Sequence, residues 1–388
     1  MIEIGLYVVG ALCVLGVLQT YLIYPVGLIV MGKSKRESPI LNSSLSVGVI
    51  IAAYNEENVI AKKIQSILES DYPLEKISIY LGSDASTDKT NELIASFQEK
   101  HPNIHLKIFQ GRSGKAHIIN DLAKECKDDV FILTDANVFF TQNTISNLVR
   151  HFSHAKTKQV CANIIKTSDK NIQIQGLEKK YLWLENTIKL KESNTWGFVI
   201  GAEGGCYAIR RENYTPVPKN FFMDDFFITM SVIKNRGEVL FDDQAIVYED
   251  LPSESSEEFK RKIRISIGNY QNLFAFKSLL WPFWRPISFA FISHKILRWL
   301  TPFLLLAIFV VSLLLIRYNT IFVYFTGVQA FLFLTPLLIP FVKKIKPILF
   351  VAHFYNMNLA LLIGFFTFLK GIKSSVWQPT PRSKSSLL

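Results

Sequence analysis

Aspartates recur at the ends of short apolar runs in this sequence, a placement suited to holding an anionic group or moving a proton. Tyr54-Asn55-Glu56-Glu57 follows the run Ser46–Ala53, Asp84 follows Ile77–Leu81, and Asp135-Ala136-Asn137 follows Val130–Thr134. Asp224-Asp225 opens a helical pattern after a loop. One aspartate in such a place is ordinarily a turn or N-cap residue. Four acidic sites in succession are harder to explain that way. Clustered carboxylates repel unless they share a cation or take up protons, so the set points to a metal-bound anionic substrate.

The elements that must position these residues are legible in the pattern. SVGVIIAA at 46–53 is short, continuous and partly β-branched, the mark of a buried strand. Glu56–Glu69 reads as a helix, with Ile60, Ile64, Ile67 and Leu68 at helical spacing. The pattern continues with strand Ile77–Leu81, helix Thr87–Glu99, strand Ile104–Phe109, helix Gly114–Cys126 and strand Val130–Thr134. Further on come helix Gln173–Lys191, strand Cys206–Ile209, helix Asp225–Lys234 and strand Val239–Tyr248. Ser255-Ser256-Glu257-Glu258 is a capping-box start for another helix. Strands alternating with helices predict an α/β domain with a mostly parallel sheet, whose ligands bind at the carboxyl ends of the strands.

The flanks are of another kind. Apolar residues make up 49% of the 388, and the mean hydropathy is +0.23. Ile4 to Met31 contains no Lys, Arg, Asp or Glu, longer than the roughly 20 residues that cross a bilayer. A cleaved signal peptide begins basic and has a shorter apolar core, so this run reads as a retained span. Lys33, Lys35 and Arg36 behind it put the central domain inside by the positive-inside rule. Residues 271–296 are aromatic and amphipathic, as interfacial helices are. Trp299–Ile316 and Ile321–Val342 are long enough to span, and Pro347–Leu369 reads as lying in the interface or re-entering. The expected organisation is a span at 1–32, an α/β domain at 42–270, interfacial helices at 271–296, a membrane region at 297–370 and a tail at 371–388.

The net charge of +11 gathers near these membrane ends, and no nucleic-acid-binding motif appears. Cys13, Cys126, Cys161 and Cys206 are scattered without a C-x-x-C, against zinc and a disulfide framework alike.

The segments VGVIIAAYNEE (47–57), GSDASTDKT (82–90), SGKAHIIN (113–120), LTDAN (133–137), GAEGGCYAIRRE (201–212), MDDF (223–226) and KRKIRISIGNYQ (260–271) resemble family 2 glycosyltransferases. The similarity is greatest to the membrane-integrated synthases of poly-N-acetylglucosamine, chitin, hyaluronan and cellulose. The resemblance implies a GT-A fold, a nucleotide-sugar-binding α/β unit. Tyr54 and Glu56 would belong to the donor loop, Asp84 to the base or ribose contact, and Lys115 to the base or diphosphate. Asp224 would line the substrate site. Asp135 matches the first acid of the D-x-D motif, which binds Mg2+ or Mn2+ on the diphosphate; the second acid is Asn137 here. Asp225 resembles the general base. Arg261–Gly268 is similar to Q-x-x-R-W-x-x-G, with Arg264 as the diphosphate arginine and Ile265 in place of the tryptophan that floors the acceptor site in processive enzymes. Trp377, Thr380 and Arg382 resemble a gating loop.

The resemblance implies an inverting, metal-dependent transfer of a sugar from UDP-N-acetylglucosamine or UDP-glucose to a growing polysaccharide. Single transfer to a lipid or lipid-linked acceptor is the alternative that Ile265 favours. An inactive partner subunit of an export complex is a third, to which Asn137 is the hint. The expected partners are a UDP-sugar, a carbohydrate or lipid-linked acceptor, membrane lipids and export proteins, but no nucleic acid. The expected location is a plasma or bacterial inner membrane, with the catalytic domain in the cytosol.

Overall fold

The structure, a computed structural model, describes residues 1–31, 39–41, 44–167, 173–250, 255–339 and 345–372. Trp377, Thr380 and Arg382 lie outside the described residues, as do the basic flanks Lys33, Lys35, Arg36, Lys343, Lys344 and Lys373. The chain divides into a helical unit, Met1–Met31, Asn171–Tyr181 and Glu254–Gly371, and an α/β unit, Gly32–Lys170, Leu182–Ser253 and Ile372–Leu388.

In chain order the elements begin with α1 (Ile2–Leu18), a π-helical turn (Gln19–Ile23) and α2 (Tyr24–Met31). Then come β1 (Val47–Ala53), α3 (Ile60–Leu68), β2 (Ile77–Ser83), α4 (Thr90–Gln98), β3 (Ile104–Ile108), α5 (Lys115–Glu125), β4 (Val130–Asp135) and β5 (Val138–Phe140). They continue with α6 (Thr144–Arg150), β6 (Thr157–Thr167), α7 (Gln173–Trp196), β7 (Cys206–Arg210), α8 (Asp224–Lys234) and β8 (Glu238–Asp250). The last helices are α9 (Ser255–Ala275), α10 (Pro286–Ala290), a second π turn (Phe291–Ile296), α11 (Leu297–Leu315), α12 (Ile321–Leu334) and α13 (Lys346–Leu369).

Among the described residues of the α/β unit, eight strands form one sheet in the order β3-β2-β1-β4-β7-β6-β8-β5. Every residue of β1 is buried, which is why its sequence is an unbroken apolar run rather than an alternating one. β3, β2, β1 and β4 are mutually parallel, whereas β7 is antiparallel to β4 and to β6. The expected parallel sheet is therefore its first half, and the second half is mixed. Because β7 runs the other way, its first residue, Cys206, lies at the carboxyl end of β4. Ala53 pairs with Ser83, Ala52 with Asp135, and Thr134 with Cys206. The carboxyl ends of β1, β2 and β4 and the start of β7 thus meet at one sheet edge, where Tyr54, Asp84, Asp135 and the glycine-rich loop 201–205 all emerge. Leucine, isoleucine and valine side chains from β1, β2, β4, α3, α4 and α6 fill the core beneath.

Among the described residues of the helical unit, four helices are long and apolar enough to cross a membrane: Ile2–Met31, Pro286–Leu315, Ile321–Leu338 and Pro347–Leu369. Large apolar side chains such as Val8, Leu12, Val310, Phe325 and Phe350 stand more than 40% exposed on them, an arrangement stable in lipid and costly in water. Small residues bring these helices together: a Cβ on Gly10 would lie 3.1 Å from Val311, and one on Gly16 would lie 3.1 Å from Leu304, both on α11. The two π turns are joined where Gln19 donates to Ser293 Oγ at 3.0 Å. On α9, Ser266 donates to the Leu361 carbonyl of α13 at 2.8 Å, and Tyr270 packs edge-on to Phe365.

Candidate active site

Asp135 ends β4 and Asn137 sits in the two-residue turn to β5, and a lysine inside the protein holds this segment. Lys63 of α3 is fully buried. Its ammonium donates to Thr134 Oγ1 at 2.9 Å and to the Val138 carbonyl, and lies 3.8 Å from the centre of the Phe140 ring. Burial lowers its pKa to about 7, against the opposing pull of Cys206 and Asp135. Thr134 passes the connection on, donating its hydroxyl to the Gly205 carbonyl at 2.8 Å. One relay, Lys63 to Thr134 to Gly205, therefore fixes the aspartate turn against the glycine loop.

Asp84, at the end of β2, is wholly inaccessible. Its carboxylate accepts from Arg112 Nε at 3.0 Å, from the Ser113 amide, and from the Gly114 amide at 3.2 Å. Arg112 in turn lies 3.3 Å above the Tyr54 ring. Asp84 thus ties the 111–114 loop to the β1 end and so sets the start of α5, whose first residue is Lys115. Beside it, Asn55 accepts from the Thr87 amide at 2.8 Å, and the Glu56 amide donates to Thr90 Oγ1 at 2.8 Å. The loop holding Tyr54 and Glu56 is pinned to the one after β2.

Lys115 is the cation of the cluster. Its ammonium is 2.7 Å from Asp135 Oδ1 and 3.6 Å from Asp224 Oδ2. Burial opposes its charge, but Asp135 and Asp224 outweigh that and hold its pKa above the ordinary lysine value. Asp224 and Asp225 form the first turn of α8 and are both buried. Burial first, and then the charge of Asp224, push Asp225 up to about 7, with Lys115 and the Phe226 amide working the other way. That amide donates to Asp225 Oδ1 at 2.8 Å.

The loop 201–205 closes on Asp225 because glycine allows it. Gly201 adopts φ +82°, and a Cβ there would lie 2.4 Å from the Phe226 ring. A Cβ on Gly204 would lie 3.1 Å from Asp225 Oδ2. Thr229 secures the arrangement: its hydroxyl donates to the Asp225 carbonyl at 2.8 Å and accepts from the Ala202 amide at 3.3 Å and from Gln159 at 2.8 Å.

Asp135 and Asn137 flank buried Ala136 and are both partly exposed. Among the described residues, no group of three or more His, Cys, Asp or Glu gathers to hold a metal ion. One carboxylate and one amide oxygen still fit a hard divalent cation that takes its other ligands from phosphate and water, as Mg2+ commonly does. All four cysteines are free thiols. Burial pushes Cys126, Cys161 and Cys206 up to about 12, so none of these three is a nucleophile.

Tyr54, Glu56, Asp84, Lys115, Asp135, Asn137, Asp224 and Asp225 thus all belong to the α/β unit, while Arg264 stands on α9 in the helical unit. Sequence reasoning missed Lys63, Arg112 and the glycine loop's contact with Asp225. Lys63 had left a signal, since it shares the helical face of Ile60, Ile64 and Ile67.

Residues 48–215 match the family model described as Glycosyl transferase family 2. The chain is 29% identical over 114 residues to a dolichyl N-acetyl-α-D-glucosaminyl phosphate 3-β-D-2,3-diacetamido-2,3-dideoxy-β-D-glucuronosyltransferase of Methanococcus voltae, covering 29% of this chain and 36% of that one. It is 24% identical over 153 residues to a β-monoglucosyldiacylglycerol synthase of Nostoc (39% and 33% covered). It is 28% identical over 123 residues to a poly-β-1,6-N-acetyl-D-glucosamine synthase of Staphylococcus aureus (31% and 29% covered). The chain spans about a third of the length of these curated relatives. Among solved structures, a mannosyltransferase of Pyrobaculum calidifontis in complex with GDP-Man and Mn2+ superposes with a TM-score of 0.70 at 18% identity, over 93% of this chain and 99% of that one. That likeness establishes a GT-A fold together with the long apolar helices.

Proposed function

We propose that this chain, which carries a family 2 glycosyltransferase domain, transfers a sugar from UDP-N-acetylglucosamine or UDP-glucose to a carbohydrate acceptor at a membrane, inverting the anomeric carbon to form a β-glycosidic bond. The observation that carries this reading is the buried carboxylate of Asp225, raised to about 7 and placed beside the Lys115–Asp135 pair. A base poised near neutrality is what attack by a hydroxyl requires.

In the reaction, the acceptor O–H gives its proton to Asp225 as its oxygen bonds to the anomeric carbon. The bond from that carbon to the diphosphate oxygen breaks, and the nucleoside diphosphate leaves with the electron pair. Inversion follows from direct displacement. Lys115 neutralises charge that collects on the diphosphate, and Asp84 acts through the 111–114 loop that positions Lys115. Asp135 and Asn137 would hold Mg2+ or Mn2+, which when bound stabilises the departing diphosphate. Tyr54, Glu56 and Asp224 line the donor side. Arg264 and the Trp377, Thr380 and Arg382 segment retain the diphosphate and gating roles that their motifs suggest.

A growing polysaccharide is the first reading of the acceptor, supported by the synthase relative. Ile265, standing where processive enzymes have tryptophan, favours a second reading: one sugar added to a lipid or lipid-linked acceptor. The names of the first two relatives accord with that reading. Basic residues after Met31 favour a cytosolic α/β unit, and a synthase would work with export partners. The sugars in the relatives' names support glucose and N-acetylglucosamine.

The test is nucleotide release by purified full-length chain in lipid nanodiscs, screened over UDP-N-acetylglucosamine, UDP-glucose and GDP-mannose with Mg2+ and Mn2+. Release from a UDP-sugar, cut about 10²–10⁴-fold by Asp225→Asn, supports the reading. Near-normal transfer by a folded Asp225→Asn protein sinks it. The length of the labelled product separates the two acceptors.

A further inference from the structure

Next to the base, the glycine loop carries one charged residue that the transfer step does not use. Glu203 lies between Ala202, held by Thr229, and Gly204, whose backbone abuts the Asp225 carboxylate. Its side chain is about one third exposed, at 32%. Its Oε1 receives the ammonium of Lys189 at 2.9 Å, and Lys189 itself is only 2% exposed. Lys189 also donates to Asn186 Oδ1 at 2.9 Å, Asn186 donates to Asn163 Oδ1 at 2.9 Å, and Asn163 donates to the Asp243 carbonyl at 3.0 Å. Three elements, α7, β6 and β8, are therefore committed to fixing one carboxylate of the loop whose backbone abuts the base.

The buried Cys161 thiol responds to Lys189, Glu203 and Asp225 alike. Lys166 and Glu185 are the other charges that act on Glu203. Burial works against the Glu203 charge, yet Lys189 keeps its pKa below the usual glutamate value. An ion pair buried on one side and open on the other suits a recognition group better than a packing device, since a buried pair stabilises a fold little.

We propose that Glu203, held by Lys189, is an acceptor-positioning residue: its Oε2 receives a hydrogen bond from a second hydroxyl of a neutral sugar acceptor whose attacking hydroxyl lies at Asp225. The proposal rests on the glycosyl-transfer reading and narrows its acceptor class. An ionised carboxylate only accepts hydrogen bonds, so it selects a donor group such as a sugar hydroxyl. A phosphate acceptor would meet Asp224, Asp225 and Glu203 together, while the Lys189 charge is already engaged behind Glu203. The transfer step is unchanged, because the proton still passes to Asp225 and the nucleoside diphosphate still leaves.

The experiment uses full-length chain in nanodiscs, with octyl β-D-glucoside and octyl N-acetyl-β-D-glucosaminide as acceptor probes and farnesyl monophosphate as the anionic competitor. Binding of the probes is read by saturation-transfer NMR with UDP present, and transfer and acceptor-free hydrolysis by UDP release. Loss of one charge-assisted hydrogen bond predicts that Glu203→Gln weakens glycoside binding and raises the acceptor KM by about tenfold, with acceptor-free hydrolysis little changed. Lys189→Met moves the same two readouts in the same direction, and farnesyl monophosphate does not displace the glycoside. The proposal is overturned if the wild type binds neither glycoside, if Glu203→Gln leaves the acceptor KM unchanged, if hydrolysis and transfer fall in proportion, or if farnesyl monophosphate displaces the glycoside. Glycoside binding weakened by Glu203→Gln in a chain that hydrolyses no UDP-sugar keeps the subsite and removes the donor reading.

Discussion

Gly204 places its backbone so near Asp225 that a Cβ would lie 3.1 Å from the Asp225 Oδ2 atom. The Phe226 amide donates to the other carboxylate oxygen and Thr229 holds the Asp225 main-chain carbonyl, so the side chain cannot easily give way. Gly204→Ala is therefore expected to misplace the base rather than unfold the loop. A drop in kcat of about 10- to 100-fold is expected for a sub-ångström shift of a catalytic group, with donor KM and melting temperature nearly unchanged. Steady-state kinetics and a thermal melt of the same preparation check this, and equal loss in both would refute it.

The pH profile follows from the same carboxylate. Deprotonated Asp225 is the competent base, so kcat/KM should rise with pH through an apparent pKa of about 7 and then level off. Asp224 disfavours the Asp225 anion and Lys115 favours it. Asp224→Asn should accordingly move the acid limb to lower pH, and Lys115→Met should move it to higher pH. An acid limb that stays in place in both variants would assign it to another group.

Asn137 is an amide where the related motif has an acid. Asn137→Asp adds a negative charge beside Asp135 without changing size, and divalent-cation affinity rises with ligand charge. The Mn2+ concentration for half-maximal nucleotide release should fall by about tenfold. Asp135→Ala should raise it steeply. A metal titration of the two variants measures both, and unchanged curves would place the cation elsewhere.

Lys63 offers a stability test. Its pKa is about 7 in the folded chain against 10.5 for an ordinary lysine. Between those values the unfolded chain binds the extra proton, so this residue makes stability rise with pH. Lys63→Met should flatten the increase in melting temperature between pH 7 and pH 9, a range chosen from that window. It should also lower stability at all pH by roughly 1–3 kcal/mol, because the Thr134 hydroxyl and Val138 carbonyl lose a buried partner. Melting curves of full-length chain across pH test both effects, and a parallel shift without a change of slope would contradict the first.

The acidic sites could be read from the chain alone because each follows a strand whose apolar run is unmistakable, and strands of one parallel sheet end at one edge. The four long apolar stretches were equally plain, since bilayer thickness translates directly into residue count. Pro347–Leu369, expected to lie in the interface or to re-enter, forms a continuous helix long enough and apolar enough to span. Antiparallel β7 was not legible as such, because strand direction leaves no mark in an apolar run. Yet that reversal delivers the 201–205 loop to the aspartate edge and Gly204 to Asp225.

By itself, the sequence determined the kinds of groups and their order: strand-end carboxylates, the glycine loop, the lysine of SGK and the apolar spans. Those depend on local chain geometry and hydrophobic periodicity. Only the tertiary structure decided which charge meets which: Lys115 with Asp135, Lys63 beneath Thr134, Lys189 behind Glu203. Each of these pairs joins residues distant along the chain. Burial and a neighbouring charge raise the Asp225 pKa, and neither is a property of an isolated segment.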